Sequence, residues 1–148
     1  MSADTIRIAT AGDWAAIERL LTDSGLPLDG ARDHIERFII AEENGSVAGC
    51  AALERYGKIA LLRSVAVDSA LRGRRFGERM VSASIVAARR DGIQSLFLLT
   101  TTAAEWFPRF GFRSIERGLA PAELLESSEF RGACPATAVF MSLDLHGR

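Results

Sequence analysis

Cysteine, lysine and tyrosine are scarce in this chain of 148 residues. Two cysteines, Cys50 and Cys134, make no disulfide framework. A soft-metal site wants several thiolates, so this chain alone is not expected to hold one, and no metal is assigned. Lys58 is the single lysine, so nearly every cation is an arginine. Arginine suits bidentate anion recognition, although a composition bias would give the same count. A net charge of −1 excludes bulk attraction to nucleic acid. No apolar run reaches transmembrane length and no signal-peptide core opens the chain, so a cytoplasmic protein without a membrane partner is expected. Repeats, low-complexity tracts and linkers are missing too. With 48% hydrophobic and 25% charged residues, one domain over residues 1–148 with a single core is expected.

What is present is an alternation of strands and helices. Residues 6–9 alternate like a short strand. Thr10 stands at an N-cap with Asp13 at the capping-box position, and Trp14, Ile17, Leu20 and Leu21 recur at helical spacing up to Gly25. Trp14 is read as core. Residues 31–37 suggest a short helix. Asn44-Gly45 between the apolar runs 38–41 and 47–53 is a strong hairpin signal. A second turn, Tyr56-Gly57-Lys58, leads into a strand over 59–67. Residues 76–91 form an amphipathic helix of about 24 Å, with Phe76, Met80, Ala83 and Ala87 on its apolar face and Arg89 and Arg90 in the last turn. Strands over 95–100, 112–115 and 138–145 and short helices over 103–110 and 121–127 complete the chain. The order predicts an α/β (α+β) fold, a mixed sheet covered by helices.

The most informative stretch is 61–91. An apolar strand ends at Val67, then Arg72-Gly73-Arg74-Arg75-Phe76-Gly77-Glu78 leads into the long helix. Gly73 and Gly77 allow a ligand close to the backbone, the helix start aims free N–H groups at the loop, and three arginines add positive charge. Such a loop can cradle a pyrophosphate. The alternative is a basic, solvated helix start. A Walker loop is excluded because Phe76-Gly77-Glu78 stands where Gly-Lys-Ser/Thr is needed, and the G-x-G-x-x-G spacing is absent.

This loop resembles the acyl-CoA loop of the GNAT superfamily of N-acetyltransferases, Arg/Gln-x-x-Gly-x-Gly/Ala between strand and helix. Arg72 and Gly77 match; Arg75 replaces the middle glycine. A second GNAT-like pattern, Asn-x-x-Ala-x-x-x-Tyr-x-x-x-Gly-Phe, is met by Thr100, Ala103, Phe107 and Gly111-Phe112. Leu98-Leu99-Thr100-Thr101-Thr102-Ala103 and Gly49-Cys50-Ala51-Ala52-Leu53 resemble the acetyltransferase domain of N-acetylglutamate synthases. Leu53-Glu54 with Tyr56-Gly57, Leu61–Val67, and Glu129-Phe130 with Cys134–Ala138 resemble the small arsenic-resistance N-acetyltransferases. The resemblance covers roughly residues 5–145. It implies a GNAT-like fold with a mostly antiparallel mixed sheet, acetyl-CoA as co-substrate, and an amine acceptor that is small, amino-acid-like and in one subfamily arsenic-related. It leaves a homodimer open.

The resemblance also suggests site residues. Val65, Ala66 and Val67 lie where the superfamily strand splays and its backbone holds the pantetheine. With Arg72, Gly73, Arg74, Arg75, Phe76, Gly77, Glu78 and Thr100 they form the expected acetyl-CoA site. The usual leaving-group acid is a Tyr, but Phe107 stands there and cannot donate; hydroxyls of residues 100–102 or a water are weak substitutes. Glu54 closes an apolar strand and is the candidate base, because burial would raise its pKa; an exposed strand end is the alternative. Arg63 and Ser64 interrupt a strand facing the cleft, and Arg63 suits a substrate carboxylate unless it points outward. His34 lies in the segment bordering the acceptor site, or is a surface histidine. Cys134 borders the pocket or is a buried thiol. A non-catalytic acyl-CoA-binding module is the second hypothesis, and acetylation of a protein N-terminus or lysine a third.

Overall fold

The computed structural model describes residues 5–68, 76–133 and 137–145. Its strands are β1 (Thr5–Ile8), β2 (Phe38–Glu43), β3 (Ser46–Tyr56), β4 (Ile59–Val67), β5 (Ser95–Thr100), β6 (Arg113–Ser114) and β7 (Val139–Asp144). Its α-helices are α1 (Trp14–Asp23) and α2 (Phe76–Arg90). The seven strands form one sheet in the order β1-β2-β3-β4-β5-β7-β6. Only β4 and β5 run parallel; every other pairing is antiparallel. The sheet is thus mixed and mostly antiparallel, as expected.

Turn chemistry sets the meander. Asn44 and Gly45 adopt φ 53° and 83°, the left-handed pair that a two-residue hairpin needs. Gly57, at φ 65°, closes the next hairpin with Tyr56 opposite Ile59. β3 is the longest strand, interior to the sheet and buried from Ala48 to Glu54. The Asp13 carboxylate accepts a 2.7 Å hydrogen bond from the Thr10 amide, so the predicted capping box forms.

The helices cover opposite faces of the sheet. Phe76, Met80, Val81, Ile85 and Ala88 of α2 pack with Ala51, Leu53, Leu62, Leu96, Leu98 and Met141. Ile17, Leu20 and Leu21 of α1 pack with Phe38, Ile40, Cys50 and Ala52. Trp14 joins that cluster half-buried, as expected of a core residue, with Arg32 stacked 5.8 Å from its ring. Full burial of a residue such as Phe76 or Met80 contributes roughly 1.5–3 kcal/mol each.

Several element expectations are corrected. The first helix opens with a 3-10 turn, Ala11–Asp13. Residues 103–110 make no full helix but a turn and a 3-10 segment, Phe107–Phe110, because Pro108 lacks an amide donor. The segments at 31–37 and 121–127 are likewise 3-10, Arg32–Arg37 and Ala122–Glu126. A π-turn, Glu129–Ala133, was not foreseen. On α2 it is Ser84 that is buried, while Ala83 and Ala87 are half-exposed; the Ser84 hydroxyl donates to the Met80 carbonyl at 2.9 Å.

Candidate active site

The site begins where β4 leaves its parallel neighbour. The β4–β5 ladder consists of three pairs, ending at Leu61 opposite Phe97. Both strands continue, β4 to Val67 and β5 to Thr100, without further pairing. A wedge opens between them, and the β4 edge beyond Leu61 has no strand partner on that side. Backbone groups along such an edge need hydrogen bonds from a ligand or from water.

A bulge turns the backbone at the same place. Ala52 pairs with Arg63 and Cys50 with Ala66, so Ser64 and Val65 together oppose Ala51. Ser64 sits at φ 60°, a left-handed conformation rare for a residue with a Cβ. The extra residue exchanges the two faces of the strand. Before the bulge Ala60 and Leu62 face α2; after it Val65 and Val67 do, while Ala66 turns to the α1 side. The sequence carries no mark of this bulge.

The wedge holds a cavity of about 910 Å³. One end is walled by the start of α2 (Phe76, Gly77, Glu78) together with Trp106 and Arg109. Its middle runs along Arg63–Val67 and Leu98–Ala103, with Phe107. The far end is walled by residues 24–27, Asp29 and Glu129. A Cβ on Gly77 would lie 3.4 Å from the Trp106 ring and 3.6 Å from Val67, so Gly77 keeps the cavity end narrow but open. Arg109 bridges the end, 3.3 Å from Glu78 and stacked 5.3 Å from the Trp106 ring. An elongated acyl thioester fits these features: an unpaired strand edge, apolar walls, and a helix N-terminus at one mouth. Arg72, Gly73, Arg74 and Arg75 lie outside the described residues, as does Cys134. Thr100 lines the cavity, and its hydroxyl accepts the Ala103 amide at 2.9 Å, so it caps the following turn. Phe107 is buried at the wall and offers no donor.

A buried charge cluster lies behind the far wall and reaches the cavity through Arg63 and Glu129. Arg63 Nη1 is 2.6 Å from Glu54 Oε2, and Arg63 Nε is 3.2 Å from Glu129 Oε2. All three side chains are buried, that of Arg63 completely. Tyr56 donates its hydroxyl to Glu54 at 2.8 Å. Arg63 also donates to the Ser64 hydroxyl at 3.1 Å and to the Pro27 carbonyl at 3.3 Å.

Two expectations are corrected here. Glu54 is buried, but its pKa is not raised. Burial pushes the carboxyl up, yet the hydrogen bonds from Arg63, Ser127 and Tyr56 outweigh it and hold the group below its usual 4.5. Arg63 does face inward, but its guanidinium is committed within the protein rather than presented to a substrate carboxylate. Tyr56 is pushed up to about 12, by burial and then by its bond to Glu54, which makes it a poor proton donor.

Arg63, Ser64, Val65, Ala66, Val67, Phe76, Gly77, Glu78 and Thr100 all line this cavity, whereas Glu54 is buried against Arg63 and is not part of the lining. His34 lies on the Arg32–Arg37 turn; its side chain is outside the described residues. Sequence reasoning gave no site role to Glu129 or Ser128; Pro27 and Asp29, which line the cavity, lie in the segment between the first helix and the second strand that the resemblance implied would border the acceptor. Part of the cluster was within reach: Tyr56 opposite Ile59 puts Glu54 opposite Leu61, which makes Arg63 its diagonal neighbour on the same face. Glu129 arrives from a distant segment, and no local pattern announces it. Among the described residues, no group of three or more His, Cys, Asp and Glu is arranged to hold a metal. No described helix is long and apolar enough to cross a membrane.

A mixed seven-stranded sheet, opened at its one parallel pair beside a bulged strand and a helix N-terminus, is the GNAT-like acyl-CoA N-acyltransferase fold. The acetyltransferase (GNAT) domain family matches residues 34–114, and the chain belongs to that family. It is 36% identical over 129 residues to an amino-acid acetyltransferase of Neisseria meningitidis serogroup A, covering 79% of this chain and 29% of that protein. The chain thus spans under a third of the length of that relative. The structure of N-acetylglutamate synthase from Neisseria gonorrhoeae, complexed with coenzyme A and N-acetyl-glutamate, is similar at a TM-score of 0.83 and 29% identity, over 97% of this chain and 35% of that one. Rv2747 from Mycobacterium tuberculosis, in complex with CoA and NLQ, is similar at 0.81 and 27% identity, over 95% and 99% of the two chains.

Proposed function

We propose that this protein transfers the acetyl group of acetyl-CoA to the amine of a small, amino-acid-like acceptor. The carrying observation is one cavity lined by the start of α2, by the unpaired β4 edge and by Arg63 and Glu129 of the buried cluster. In this reading the thioester lies along Val65, Ala66 and Val67 with its phosphates toward α2, and the acceptor occupies the end walled by residues 24–29. The amino-acid class rests on the amino-acid acetyltransferases among the relatives. An arsenic-bearing amino-acid analogue belongs in the acceptor panel because of the Glu129-Phe130 tail motif.

The chain's own residues suit the chemistry in three ways. The unpaired β4 edge offers backbone donors for the thioester oxygen, where negative charge grows during attack. Carboxylate oxygens of Glu54 and Glu129 gather beside this end, and such groups suit the approach of an ammonium. Glu54 contributes there as a fixed anion rather than as a base with a tuned pKa. The amine loses one proton to water before attack and a second on collapse, when the C–S bond breaks and the thiolate is protonated.

Calorimetric titration of acetyl-CoA into wild type and Gly77→Trp tests the cofactor half. Micromolar binding to wild type and none to the variant is expected, since the indole would fill the narrow end. Absence of wild-type binding would overturn the reading. Free-thiol release across a panel of amino acids tests the acceptor half. Phe107, at the wall where a hydroxyl is usual, favours a second reading as a non-catalytic acyl-CoA-binding module. Binding without thiol release from any amine would establish that one instead.

A further inference from the structure

Arg63 does more than neutralise Glu54. Its guanidinium reaches four segments of the chain. Nη1 meets Glu54 of β3, Nε meets Ser64 of β4 and Glu129 of the π-turn, and Nη2 meets the Pro27 carbonyl in the loop after α1. Nη1 also lies 3.3 Å from the Ser128 hydroxyl, which in turn donates to the Asp29 carbonyl at 2.8 Å. The loop from residue 26 to 30 is therefore held to the segment 127–129 through one guanidinium and one hydroxyl. Gly30 tightens the joint: it sits at φ 72°, and a Cβ there would lie 2.9 Å from Ser128 Oγ. These two segments wall the far end of the cavity. They come from opposite ends of the chain, and no strand pairing joins them.

Resting on the acetyl-transfer reading, we infer that Arg63 is a positioning residue that builds the acceptor wall, with Ser128 as its relay to the Pro27–Asp29 loop. A planar guanidinium suits this role because its fork fixes the directions of several bonds at once. An ammonium in its place is a point charge and cannot hold both walls in register. The inference assigns acceptor affinity to a group that does not touch the acceptor, and it leaves the acetyl-CoA end independent of the clamp.

Steady-state kinetics of Arg63→Lys, Ser128→Ala and the double variant read this directly. The acceptor KM is expected to rise about tenfold in Arg63→Lys and a few-fold in Ser128→Ala, with the acetyl-CoA KM within about twofold of wild type. The double variant is expected to lose little beyond Arg63→Lys, because both groups belong to one clamp. Hydrogen exchange is expected to speed up at amides 26–31 and to stay unchanged in β3 and β5. Equal changes in both KM values, or slow exchange kept at 26–31, would overturn the clamp. If Arg63→Lys does not fold, Ser128→Ala and the exchange data decide alone. Failure of wild type to release thiol would instead strike the acetyl-transfer reading, so the two failures are told apart.

Discussion

At the scale of single residues, Glu54 shows how environment decides a carboxylate's role. Burial alone would have made it a candidate base. A guanidinium at 2.6 Å and a phenol at 2.8 Å make it a committed anion. Its folded carboxyl ionises below 4.5, the ordinary value. A depressed folded pKa means that the stabilisation is whole above the unfolded value and is lost as pH falls through the folded one. Glu54→Gln is therefore expected to lower stability at pH 7 by about 3 kcal/mol, the lower range for breaking a buried pair, since Glu129 still partners Arg63. Urea unfolding of both proteins at pH 7 and in acid checks this. The gap between them should shrink below about pH 4.5. A gap that is constant with pH would mean that Glu54 acts through packing alone.

At the scale of elements, the bulge in β4 is the device that makes a site out of a sheet. Ser64 pays a strain of about 1 kcal/mol to hold φ 60°, and the face exchange it causes aims Val65 and Val67 at α2. Ser64→Val puts a β-branched side chain in that conformation, so the bulge is expected to relax, with a lower Tm and at least tenfold weaker acetyl-CoA binding by calorimetry. Ser64→Gly accepts the same backbone and should keep the binding. If both variants bind alike, the bulge does not shape the site.

This element also marks the limit of what the sequence reveals. Asn44-Gly45 announced its hairpin because only a few residue types accept two successive positive φ angles, and residues 95–100 announced a buried strand by being apolar throughout. The strand, helix and strand that make the wedge were legible for the same reason. Ser64 was not, because a left-handed serine looks like any other serine in a strand. Glu129 and Ser128 were not, because their contacts with Arg63 depend on how segments far apart in the chain meet. Arg63 stood out in the sequence as a cation interrupting an apolar strand, facing either the cleft or outward, but its partners decide its meaning, and those lie in the tertiary structure.

At the scale of the whole molecule, the sheet is two units joined by a short seam. β1 to β4 form one antiparallel unit, β5, β7 and β6 the other, and three ladder pairs between β4 and β5 connect them. Cores on both faces cross the seam, but the wedge above it is held apart by apolar side chains with no backbone bonds across it. A thioester lying in the wedge touches both units, so its binding energy adds to the cohesion of the folded state and of nothing else. Acetyl-CoA at 100 times its Kd is expected to stabilise the protein by about 2.7 kcal/mol, which for a chain of this size raises Tm by about 5–10 °C. Differential scanning calorimetry with and without the ligand measures it. Gly77→Trp should show no such rise, and des-acetyl CoA should give nearly the full one, because the proposed pose makes most of its contact along β4 and α2 rather than at the acetyl group. A Tm indifferent to acetyl-CoA in the wild type would mean that the wedge is not where the ligand lies.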